Sequence, residues 1–74
     1  MMKQENLLKK LQEHKDIIVD YGKGYLSDKH ILEKAIWSEN KKAYISETGM
    51  WSMRLLLEIL QGKVEGITLY DIQQ

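Results

Sequence analysis

The 74-residue chain has no cysteine, no proline, no phenylalanine and no net charge. Without cysteine it can form neither a disulfide nor a thiolate metal site. Its only histidines, His14 and His30, lack the short spacing of common zinc-ligand pairs, so no metal is expected. Its 11 basic and 11 acidic residues are mixed along the chain. That argues against nucleic acid, whose phosphates call for a basic face. No apolar run approaches the roughly 18 residues of a membrane-spanning helix, and no charged segment leads into an apolar one as in a secretion signal. A cytoplasmic protein is therefore the expectation. The single arginine and the Lys, Glu and Ile bias suit an AT-rich bacterial or phage genome. Nor is there an internal repeat or low-complexity tract that would divide residues 1–74 into more than one domain.

What is present must fold with little help. A domain of this size buries only about 60% of its unfolded surface. One small core seldom supplies more than about 3–5 kcal/mol. With disulfides and metal excluded, association between copies is the remaining reinforcement.

Leu7, Leu8, Leu11 and Ile18 fall on one helical stripe, predicting a first helix over residues 3–20. His14 and Lys15 interrupt the stripe, however, and Ile17-Ile18-Val19 is a β-branched triplet. The helix can therefore end near Lys15, leaving residues 16–21 open between helix and strand. Tyr21-Gly22-Lys23-Gly24 reads as a turn. Ser27 then resembles an N-cap, Asp28 suits the first turn, and Leu26 with Ile31 can form a hydrophobic staple. Ile31, Leu32, Ala35 and Ile36 form one helical face, predicting a helix over 28–38.

A polar loop over 38–42 and a short strand over 43–45 follow, with Thr48 placed to cap the next helix. That helix, 50–61, is apolar nearly all round. Arg54, Glu58 and Gln61 make one narrow polar stripe, and Gly62 is placed to end the helix. Residues 67–72 read as a strand, or as a helical turn starting at Thr68. The expected fold is a single α+β domain with about three helices and a short two-stranded sheet around helix 50–61, its last strand pairing with 43–45. The alternative is an all-α helical dimer.

Nothing in the chain assembles into a reaction centre. Gly22-Lys23-Gly24 lacks the longer spacing of a nucleotide-binding loop. His14 and His30, with Glu13, Asp16 and Asp28 nearby in sequence, have no nucleophile motif beside them. No catalytic residue and no cofactor is expected. The apolar surplus of helix 50–61 must be covered either by the strands within the chain or by a protein partner, and the second of these names a candidate interface. One side of helix 50–61 carries Trp51, Leu55 and Ile59, with Arg54 one turn beyond Trp51, the pairing of aromatic and arginine that anchors interfaces. These residues are the candidate protein interface of a small non-enzymatic regulator or inhibitor, of phage or mobile-element type, that binds another protein as a homodimer. The alternative is a small nucleic-acid-binding regulator built on helix 28–38 and the pairs Lys9-Lys10 and Lys41-Lys42.

Overall fold

The chain leaves its first helix through a left-handed residue. In the computed structural model, which describes residues 2–24 and 27–72, helix α1 runs over Met2–Gln12. His14 has φ 59°. The His14 amide donates to the Leu11 carbonyl at 3.1 Å and the Lys15 amide to the Lys10 carbonyl at 2.9 Å. These two bonds form the helix-ending motif that usually takes glycine, and histidine is among the residues that tolerate this conformation. The His14 ring stacks on Trp37, centroids 3.7 Å apart. The β-branched triplet, released from helix, enters strand β1 (Ile17–Tyr21).

The largest departure from expectation is residues 28–38. Ser27 does accept from the Lys29 amide at 2.9 Å, as a capping serine would. Here the same local contact serves a turn, and the chain then extends into β2 (Ile31–Ser38). Leu26, the other half of the expected staple, lies outside the described residues. A cap contributes only about 1 kcal/mol, whereas β2 is hydrogen-bonded along both edges. It pairs antiparallel with β1 on one side and with β3 (Ala43–Ile45) on the other. Strand β4 (Met50–Trp51) extends the sheet beyond β3, and β5 (Ile67–Asp71) pairs antiparallel with β1. The order is β4-β3-β2-β1-β5, antiparallel throughout. A five-stranded antiparallel sheet with two helices thus replaces both the expected three helices with a two-stranded sheet and the all-α dimer. Residues 16–21 and 67–72, read as strand or helix, supply the paired strands β1 and β5. The last strand does not reach the strand at 43–45.

The apolar helix is shorter than its sequence pattern. Met50 and Trp51 belong to β4, and α2 covers Met53–Leu60. Ser52, rather than Thr48, is the N-cap, its Oγ accepting from the Leu55 amide at 3.1 Å. Gly62 ends the helix as expected. It has φ 80°, and its amide donates to the Ile59 carbonyl while the Lys63 amide reaches the Glu58 carbonyl.

Both helices pack on one face of the sheet. Leu7 and Leu11 of α1 and Leu56 and Ile59 of α2 join Ile17, Val19, Tyr44 and Leu69 in one core. Met53, Leu55, Leu57 and Leu60 lie half-buried at its rim. The helix is apolar nearly all round because it packs on β5 and meets α1 as well, so different sides are covered by different neighbours. No described helix is long and apolar enough to cross a membrane.

Candidate protein interaction surface

The residues expected to meet a partner are split by the fold. Trp51 is only 6% exposed and Ile59 only 4%. The Trp51 indole N–H donates to Ser46 Oγ at 2.7 Å, and its ring tilts against Tyr21 with centroids 5.6 Å apart. Leu55 is half-buried. Arg54 alone of the set stands fully in solvent, its Nε 3.8 Å from Glu58. Such an exposed pair contributes little. Of the side that looked surplus, Trp51 and Ile59 are covered within the chain and Leu55 only in part.

The polar candidates scatter. His14 stacks on Trp37, whose indole N–H donates to Glu39 at 2.9 Å. His30 Nδ1 lies 2.9 Å from an Asp20 carboxylate oxygen. No group of three His, Asp or Glu among the described residues could hold a metal ion. Gly22 and Gly24 have positive φ in the turn beyond β1, with no helix N-terminus after it. The nucleic-acid alternative drew on helix 28–38, which is strand β2. Of the lysine pairs, Lys10 reaches Asp71 at 3.0 Å and Lys42 reaches Glu39 at 2.6 Å.

Two tyrosines fasten the sheet to its connections. Tyr21 hydrogen-bonds Thr48, which also donates to Glu33 through both its hydroxyl and its amide. Burial alone would raise the Glu33 carboxyl, but the bonds from Thr48 and Tyr21 outweigh it and hold the pKa below the ordinary value. Tyr44 donates to the Lys15 carbonyl at 2.7 Å, tying β3 to the end of α1. Burial, assisted by the negative charge of Asp16, pushes the Tyr44 phenol up to about 12. Burial also raises Tyr21.

A phenol raised on folding keeps its proton in the native state while the unfolded chain ionises near pH 10. Stability is therefore full below that pH and declines as pH climbs toward 12, by at most about 1.4 kcal/mol per pH unit per phenol. Urea midpoints across pH 8 to 11.5 should fall only above pH 10. Tyr44→Phe should be less stable at pH 8, by about 1 kcal/mol for the lost hydrogen bond, yet show a shallower alkaline decline. An unchanged slope in that variant would contradict the assignment.

The feature absent from the expected site is the other face of the sheet. Side chains alternate along a strand, and residues directly opposite each other across an antiparallel pair share a face. Met50, Ile45 and Ile36 are successive cross-strand partners and form one apolar row on the face without helices. Lys34, Ile18 and Tyr70 form the next row, and Leu32, Asp20 and Thr68 the one after. Leu32 is 63% exposed, Met50 60%, Ile36 49% and Tyr70 38%. Asp20, the buried carboxylate of this face, is satisfied by His30. Lys34 has an Asp16 oxygen at 3.8 Å.

These same residues hid the strand in the sequence. A sheet with one wet face alternates apolar and polar. In β2, Ile31, Ala35 and Trp37 face the helices while Leu32 and Ile36 face away, so apolar residues occupy both faces. The sum, Ile31, Leu32, Ala35 and Ile36, mimics helical spacing. The usable signal was the β-branched and aromatic content of this segment rather than its periodicity. No family model, no curated protein and no solved structure matches the chain.

Proposed function

We propose that this chain is a small non-enzymatic interaction protein that binds another protein through the uncovered face of its sheet, around Ile36, Leu32 and Met50. A single observation carries the reading: Leu32 and Ile36 of β2 and Met50 of β4, the latter two in one cross-strand row through Ile45, stand exposed on the face opposite the helices. Fully burying one such side chain is worth about 1.5–3 kcal/mol. An apolar patch on adjacent strands is the kind of surface that marks a protein contact. Arg54 and Leu55, on the helical side, lie outside this surface.

The test is the double variant Leu32→Lys with Ile36→Lys, used as bait beside the wild type in extracts of the source cell. Each exposed site should change stability by no more than about 0.5 kcal/mol, so circular dichroism and melting should stay close to wild type. Proteins retained by the wild type should be lost from the variant. Retention of the same proteins by a folded variant would overturn the proposal.

A further inference from the structure

Every open sheet has edges, and the two edges of this one are unlike. At one end is β4, with two residues, too short to template another strand. At the other is β5, with five residues and no further strand beyond it among the described residues. Proteins commonly guard an exposed edge with lysine, proline, a bulge or brevity. The sequence of β5, Ile67-Thr68-Leu69-Tyr70-Asp71, contains neither lysine nor proline and pairs with β1 without a break in register. We infer that β5 is the self-association site of this chain, two copies pairing antiparallel through it so that their sheets join into one.

The register follows from side-chain direction. Ile67 and Leu69 are buried toward the helices, whereas Thr68 and Tyr70 are exposed on the bare face. A two-fold axis perpendicular to the sheet keeps both helical layers on the same side, and because opposed residues share a face it must run midway between one residue and its own copy. Centring it on Leu69 pairs the whole strand. Leu69 then meets the partner's Leu69, and Thr68 meets the partner's Tyr70, a β-branched and aromatic cross-strand pair of the kind that stabilises sheets. It also sets Asp71, already held by Lys10, opposite the partner's Ile67 rather than the partner's Asp71. The pairing is isologous and uses up the long edge of both copies. Only the short β4 edges remain, so the assembly closes as a dimer.

The dimer bears on the proposed function, and rests on that reading of the bare face. Strands about 4.8 Å apart with a rise of about 3.3 Å per residue give one copy a bare face of roughly 400 Å² in plan. A stable protein interface takes about 800 Å² from each partner. Joined through β5, the two faces reach that size as one surface, the row of Ile18 and Tyr70 in each copy continuing into the row of Thr68 and Asp20 in the other.

Light scattering on a sizing column over a hundredfold range of concentration tests the dimer. The wild type should run at twice 8.7 kDa. Thr68→Lys with Tyr70→Lys gathers four ammonium groups around the axis and should halve the mass without changing the circular dichroism. Leu32→Lys with Ile36→Lys, away from the edge, should remain dimeric. Register is read separately. The chain has no cysteine, so Thr68→Cys with Tyr70→Cys should trap a disulfide-linked dimer on mild oxidation, because opposed residues lie within disulfide reach. A wild-type mass of 8.7 kDa throughout, or a dimer unmoved by the lysines at 68 and 70, would overturn this inference. Capture that still depends on Leu32 and Ile36 would then leave the proposed function standing. A dimer with the expected register whose capture ignores Leu32 and Ile36 would instead remove the proposed function and keep the edge.

Discussion

Leu56→Ala is expected to destabilise the protein by about 2–5 kcal/mol, the range for removing a large aliphatic side chain from a tight core. Leu56 is completely buried and lies in the middle of α2, the helix packed on β5 and α1. Its neighbours are the side chains of the other core elements, and in a domain with so few layers little can collapse into the cavity. One small core supplies only about 3–5 kcal/mol, so the variant should be substantially unfolded at room temperature. For a domain of this size each kcal/mol shifts the melting temperature by about 4–8 °C. Leu32→Ala is the control, since that side chain is 63% exposed, and its midpoint should move by no more than about 0.5 kcal/mol. Comparable losses at the two positions would mean that the helices do not cover the face assigned to them.

Gly22→Ala is expected to have the next largest effect, about 2–4 kcal/mol, from backbone strain together with a clash. Gly22 follows β1 with φ 125°, and its carbonyl accepts from the Ser27 amide at 2.6 Å. A Cβ at this position would lie 2.4 Å from the Lys29 carbonyl oxygen and 3.1 Å from Ile31 Cγ1. The nearer atom belongs to the backbone and cannot swing aside. Relief requires pulling the start of β2 away from the end of β1, where Tyr21 pairs with Ile31. Gly24→Ala separates the two contributions. Gly24 has φ 80° but nothing within 4 Å of the added carbon, so only the conformational cost remains, about 1–2 kcal/mol. Urea unfolding of both variants decides the matter. Equal losses would show that the close approach at Gly22 relaxes freely.

Much of the local chemistry was legible in the chain. Gly62 marked the end of α2 because only a residue free of a Cβ penalty adopts φ 80° without strain. Residues 43–45 were readable as a strand, and Leu7 and Leu11 as the buried stripe of α1, which the structure places in the core. The ambiguity at Ile17-Ile18-Val19 was itself informative, since β-branched residues resist helix and this triplet became a sheet strand with neighbours on both sides. The end of α1 was harder to see, because His14 occupies the left-handed position where glycine would have announced it.

The candidate surface was not legible, for a physical reason. Whether Trp51, Leu55 and Ile59 met strands of the same chain or a partner was open in the sequence, because a two-stranded sheet offers little surface to cover helix 50–61. Once residues 31–38 join the sheet, an inner face exists to bury Trp51 and Ile59. The apolar excess then moves to Leu32, Ile36 and Met50 on the opposite side.

By itself the sequence determined the absence of disulfides, the balance of charge, the glycine-ended helix and an apolar content that strains so short a chain. Those follow from side-chain chemistry and from backbone preferences that act over a few residues. Only the tertiary structure decided that Ser27 starts a turn into a strand, that β1 lies between β2 and β5, and which apolar residues face away from the helices. Pairing on both edges of a strand outweighs a capping bond of about 1 kcal/mol, and no local pattern reveals whether the second edge has a neighbour.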